Sequence, residues 1–275
     1  MKTRLVVMML ALLPLFAACS GETTAPGATA PAAQTPAADV AESATPDATA
    51  AAPSDTAAPA PAAAAEAGSD APAAPNNNPV LPPVGPEPVE GVDYEVVANG
   101  KPYAPLDGKI EVVEVFGYIC PACAAFQPSV AAWHDKLPAD VRMTYVPVAF
   151  GPEWEPYAKA FYAAQAKGLV DKTHNEVFKA IHLSNSLPRE GQKPDPAKVA
   201  QFYAGYGVDA NEFLGLMNSF GVNAQIKRGM QFAAQSGVTG TPTILVDGKY
   251  RVLGKSWEDK LRITDHLIAR ERAGR

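Results

Sequence analysis

The chain has 275 residues with 29 acidic and 23 basic side chains, a formal net charge of −6, and three cysteines. The acidity is uneven: the first 100 residues hold eleven acids and two bases, which leaves the rest slightly basic. Charge therefore makes no case for nucleic-acid binding, and the composition divides the chain into a low-complexity front and a globular remainder.

Residues 1–18 read as an export signal. Lys2 and Arg4 supply the positive region, Leu5 to Phe16 the apolar core, and Ala17-Ala18 the small residues before a cut. The apolar stretch falls short of the roughly 20 residues that span a bilayer. Cys19 follows at once. A small residue ahead of a cysteine after such a core resembles the bacterial lipoprotein signal, in which that cysteine is lipidated. Phe16 stands where that signal usually has Leu, and ordinary cleavage and secretion is the alternative. Residues 19–89 are dominated by Ala, Pro, Thr, Ser and Asn. Such a stretch buries too little apolar surface to offset its ordering entropy, so the expectation is a disordered tether. About 70 residues of flexible coil average roughly 45 Å end to end.

Residues 90–275 are enough for one domain with a sizeable core. Tyr94–Val97 reads as a first strand and Ile110–Phe116 as a second, buried one. Pro121 suits the first position of a helix that runs through Phe126, Val130 and Trp133 and stops near Pro138. Arg142–Val148 is a third strand. Helices are predicted over 156–167, 171–182, 196–206, 210–220 and 222–236. Thr243–Val246, an Asp247-Gly248 turn and Tyr250–Leu253 make a hairpin, and Ser256 begins a last helix. The order is βαβ, a helical block at about 153–236, then ββα. That is an α/β thioredoxin-like fold with an inserted all-helical subdomain.

Chemistry concentrates at Cys120-Pro121-Ala122-Cys123, which follows the buried strand and opens a helix. Backbone N–H groups converge on the first sulfur there and favour its thiolate, the species that attacks disulfides. Cys120 is then the attacking sulfur and Cys123, one turn on, resolves the mixed disulfide. An inert bridge is a weak rival, because so small a ring removes only about 2 kcal/mol of chain entropy. A zinc site lacks a second ligand pair, and a c-type haem would need His where Ala124 stands. No metal and no cofactor are expected. Gly240-Thr241-Pro242-Thr243 enters the hairpin, and Pro242 at a strand start is a candidate cis residue. Thr241 would then lie beside Cys120 and pair its backbone with an extended substrate. Glu114, six residues before Cys120, has two readings. It is a buried acid that takes the proton from Cys123 during exchange, or a strand-end residue facing solvent, as Glu111 is expected to be. His134, His174, His182 and His266 read as surface or core-packing residues.

Glu114 to Phe126, the helical insertion and Gly240-Thr241-Pro242 together resemble the DsbA family of periplasmic disulfide oxidoreductases. The resemblance spans roughly residues 90–275 and leaves out the signal and tether. It implies that an oxidised Cys120–Cys123 pair is donated to exported proteins with reduced cysteines. It also implies reoxidation by a quinone-linked inner-membrane partner and a periplasmic location, and a monomer is expected; the lipoprotein-like signal, outside the resemblance, is what predicts a membrane anchor through Cys19. Pro121 and Ala122 are implied as redox-tuning positions. Ala122 stands where the best-known members carry His, which implies a weaker oxidant, and Thr241 replaces an apolar residue. An isomerase or reductase kept reduced by another partner is one rival, and a tethered peptide-binding module with a silent disulfide is the other.

Overall fold

The computed structural model describes residues 76–275. Five strands form one mixed sheet: β1 (Tyr94–Val96), β2 (Ile110–Phe116), β3 (Val141–Pro147), β4 (Thr243–Val246) and β5 (Tyr250–Val252). Their order is β1-β5-β4-β2-β3, with β2 and β3 parallel and the other neighbours antiparallel. Helix α1 (Pro121–His134) makes the β2–β3 crossover. Between β3 and β4 lie α2 (Glu155–Ala166), α3 (Val170–His182), α4 (Pro196–Ala204), α5 (Ala210–Met217) and α6 (Phe220–Gln235). Helix α7 (Trp257–Ala273) closes the chain. This is the thioredoxin-like α/β arrangement with its helical insertion.

Every residue of β2 is buried, as its place in the middle of the sheet with both faces covered requires, its two glutamates, Glu111 and Glu114, included. Ile110 and Val112 pack with Phe126 and Val130 of α1 and Ile263 and Leu267 of α7. Val113 and Val115 turn the other way and meet Phe232 and Ala233 of α6. A third apolar cluster joins the insertion to the end of β2 and includes Phe161, Phe178, Ile181 and Tyr203. At the β4–β5 turn, Asp247 and Gly248 both take positive φ (49° and 65°), the geometry that twists a two-residue hairpin correctly.

Three expectations are corrected. The predicted helix over 210–220 ends at Met217, because Ser219 caps the next one: its Oγ accepts the Val222 N–H at 3.2 Å, so α6 begins at Phe220. Glu111 does not face solvent. It is fully buried on β2, where Oε1 accepts from Arg142 Nη2 at 2.9 Å and Thr144 Oγ1 at 3.1 Å. Its Oε2 accepts from the Tyr103 N–H at 2.7 Å. Arg142 sits directly opposite on β3, so register supplies the countercharge that burial demands.

The third correction concerns residues 76–89, assigned by composition to the tether, which lie along the domain. Asn78 Nδ2 donates to the carbonyls of Asp135 (2.8 Å) and Leu137 (3.0 Å) just beyond α1, and Arg262 on α7 bonds the Pro86 carbonyl. Pro88 is buried. The signal peptide, Cys19 and the tether as far as residue 75 lie outside the described residues.

Candidate active site

Cys120 is the N-cap of α1, with extended backbone (φ −70°, ψ 117°), and Pro121 takes the first helical position, where a missing N–H costs nothing. The Cys120 N–H closes a turn onto the Gly117 carbonyl at 3.1 Å. Cys120 Sγ accepts the Cys123 N–H at 3.4 Å. No acidic residue stands in the first turn of α1, so nothing offsets the positive end of the helix. Cys120 is 7% exposed and Cys123 is 0% exposed, and both thiols are free. The two sulfurs differ in access: Cys120 lies at the surface of the site and Cys123 is fully buried behind it.

The Thr241–Pro242 peptide is cis, and the Thr241 carbonyl lies 3.5 Å from Cys120 Sγ on the far side of the site. The sequence-derived set Cys120, Cys123, Thr241 and Pro242 thus converges. Glu114 lies on the same face of β2 as Val112 and Phe116. It is fully buried, and neither carboxylate oxygen has a partner. Ala122 is half-buried. Its methyl group brings no charge to the sulfur, and only its backbone amide helps to hold the thiolate.

Three acidities follow from this placement. The Cys120 thiol is lowered from 9.0 to about 6. The hydrogen bond from the Cys123 thiol is the main cause, and the Thr241 side chain and the amides of Cys123 and Ala122 add to it against the opposing effect of burial. Cys123 is pushed up by burial first, then by its bond to Cys120 and the charges of Cys120 and Glu114. Glu114 is raised from 4.5 to about 8 by burial, with the negative charge of Cys120 adding to it. The outer sulfur is thus held as an anion, the inner one as a thiol, and the carboxyl beside them as an acid at neutral pH.

Sequence reasoning gave four neighbours no role at the site. Tyr118 lies within the turn before Cys120, Trp154 covers Gly117 at its start, and His174 and His182 reach Tyr118 from α3. His174 and His182 continue the apolar stripe of Val177, Phe178 and Ile181 at helical spacing. That periodicity was the available sign that they point inward rather than to solvent.

A thioredoxin fold that carries a polarised CxxC pair opposite a cis-proline loop defines a thiol–disulfide exchange protein. Residues 111–263 match the family described as the DSBA-like thioredoxin domain. The thiol:disulfide interchange protein DsbA of Pseudomonas aeruginosa is 40% identical over 186 residues, 66% of this chain and 85% of the relative. That of Azotobacter vinelandii is 40% identical over 170 residues, 60% of this chain and 77% of the relative. Among solved structures, the oxidoreductase DsbA from Xylella fastidiosa superposes with a TM-score of 0.65 at 45% identity, covering 68% of this chain and 98% of that one. The Pseudomonas aeruginosa DsbA crystal structure gives 0.61 at 38% identity, covering 68% and 95%. The chain belongs to the DsbA-like thioredoxin domain family, and it is a thiol:disulfide oxidoreductase.

Proposed function

We propose that the Cys120–Cys123 disulfide is donated to exported proteins in the periplasm, the compartment of the family. The observation that carries this reading is the placement of the pair: Cys120 Sγ caps α1 and accepts the Cys123 N–H at 3.4 Å, Cys123 is fully buried, and this arrangement lowers the Cys120 thiol to about 6 while raising that of Cys123. A stabilised Cys120 thiolate favours the reduced protein, so electrons flow from substrate to enzyme. Each unit of thiol acidity below ambient pH is worth about 1.4 kcal/mol, or about 30 mV for two electrons.

A substrate thiolate attacks Cys120 Sγ and the S–S bond breaks. Cys123 leaves with the electron pair and takes the proton of the Glu114 carboxylic acid. A second substrate thiolate then attacks the substrate sulfur of the mixed disulfide, and Cys120 departs as the thiolate. Two electrons have passed from substrate to protein, and Glu114 regains its proton from solvent. The Thr241 backbone and Pro242 line the place where an extended substrate strand pairs next to the reacting sulfur. A quinone-linked membrane oxidase accepts the two electrons and restores the disulfide. Cys19, carrying lipid, ties the protein to a membrane through the tether.

Two measurements test this. The equilibrium constant of the pair against glutathione gives its potential, and alkylation trapping gives its resting state in cells. A potential above the glutathione pool and an oxidised pair support the donor reading. A reduced resting pair replaces it with an isomerase or reductase, and a pair that exchanges with nothing leaves only a peptide-binding module. Labelled palmitate incorporation that vanishes in Cys19→Ala tests the anchor.

A further inference from the structure

The turn that presents Cys120 is gripped by the helical insertion. Its central residues, Tyr118 and Ile119, are 2% and 1% exposed, and they join the apolar cluster of α2–α6 rather than the two clusters on the sheet faces. Three contacts reach the turn. Trp154, just ahead of α2, covers Gly117 so closely that a Cβ there would stand 2.1 Å from the indole Cζ3. On α3, His174 Nδ1 lies 3.0 Å from the Tyr118 hydroxyl, and His182 Nε2 lies 2.7 Å from the Tyr118 carbonyl.

The second histidine contact matters most. The Tyr118 carbonyl belongs to the central peptide of the Gly117–Cys120 turn, and rotation of that peptide is what interconverts the common turn types. A donor fixed on this carbonyl holds one orientation. Ile119 reinforces it, because the rotated form demands positive φ of the third turn residue, and a β-branched side chain resists that. The next backbone group is the Cys120 N–H, and beyond it is the N-cap sulfur with its 3.4 Å bond from the Cys123 amide.

We propose that His182, with His174 and Trp154, is a positioning residue for the exchange reaction: the insertion holds the Gly117–Cys120 turn, and through it keeps Cys120 seated on the helix end. The proposal rests on exchange chemistry at the same pair and adds what sets its balance. The insertion then serves as a clamp on the redox turn. When the clamp loosens, the thiolate loses amide contact and the reduced protein is less favoured.

Two readings on the whole chain test this: the equilibrium constant of the pair with glutathione, and the pH midpoint of thiolate absorbance at Cys120. His182→Ala should shift the constant at least threefold toward the oxidised protein, ~14 mV at about 30 mV per tenfold, and move the midpoint upward. His182→Gln keeps an N–H donor and should recover most of both. Tyr118→Phe removes the hydroxyl contact alone and should move both readings the same way by less. A His182→Ala protein that melts earlier yet keeps the wild-type constant and midpoint overturns the proposal, as does a His182→Gln protein no better than His182→Ala. If His182→Ala fails to fold, Tyr118→Phe decides, and unchanged readings there overturn it. A wild-type pair that never equilibrates with glutathione would instead sink the exchange reading itself, which keeps the two failures apart.

Discussion

Removing the ionisable group of Glu114 should stabilise this protein, and should do so more as pH rises. Both oxygens of Glu114 are buried without partners, and its acidity is weakened from an ordinary 4.5 to about 8. Between those two values the folded protein keeps a proton that the unfolded chain has released. Stability therefore falls as pH climbs through 4.5 and levels off above 8, the reverse of the usual salt-bridged carboxylate. At about 1.4 kcal/mol for each unit separating the two values, the loss comes to about 3 kcal/mol by pH 7 and about 5 kcal/mol on the plateau. Glu114→Gln keeps the shape and abolishes the titration. Its buried amide carries a desolvation cost of its own, but that cost does not vary with pH. Urea unfolding of wild type and variant at pH 5, 6, 7 and 8 gives a difference curve from which other titrating groups cancel. The variant should gain on wild type by several kcal/mol across that range. The gain should be larger for reduced protein than for oxidised, because the Cys120 charge that helps raise Glu114 exists only after reduction. A flat difference from pH 5 to pH 8 would refute the placement of Glu114 as a buried, unpaired acid.

Iodoacetamide should modify reduced protein at Cys120 with a rate midpoint near pH 6, while Cys123 stays unmodified until unfolding; equal labelling of both sulfurs in peptide maps contradicts the geometry. Cys123→Ala should accumulate mixed disulfides with substrate proteins on non-reducing gels, and a further Cys120→Ala change should abolish them. Glu111→Ala strips the half-buried Arg142 of its carboxylate and should cost about 3 kcal/mol in urea unfolding, with the exchange rate intact. Asn78→Ala should cost about 1 kcal/mol and expose residues 78–86 to elastase; unchanged cleavage there would mean the segment is not docked.

Much of the fold and half of the site were legible because their signals are local. A seven-residue run rich in Val, Ile and Phe gives β2, Pro121 after Cys120 gives the helix start, and Asp247-Gly248 gives the hairpin. Cys120, Cys123 and Pro242 were legible for the same reason, since few other arrangements use those residues at those spacings. What stayed hidden depends on partners far along the chain. Tyr118 is bonded 56 residues away by His174 and 64 away by His182. Glu111 reads as polar and exposed until β3 places Arg142 and Thr144 beside it. Residues 76–89 are compositionally like the tether, and contacts just beyond the C-terminal end of α1 and with α7 set them apart.

Glu111 and Glu114 make the clearest contrast, because one strand carries both and buries both completely. Three residues apart, they point to opposite faces. Glu111 has a guanidinium, a hydroxyl and a backbone amide on its oxygens and serves the structure. Glu114 has nothing on either oxygen, and among the described residues no other carboxylate is buried with both oxygens bare. A countercharge would make Glu114 cheaper to bury, but it would also keep the group ionised at pH 7, with no proton to give. The resolving sulfur is itself buried and raised, so it leaves as a thiolate only if a proton waits within the same dry pocket. On the mechanism we propose, leaving Glu114 unpaired sacrifices stability for a donor that is still protonated at the pH where exchange takes place. The lost stability and the proton transfer have one cause, so a variant that recovers the first should slow the second.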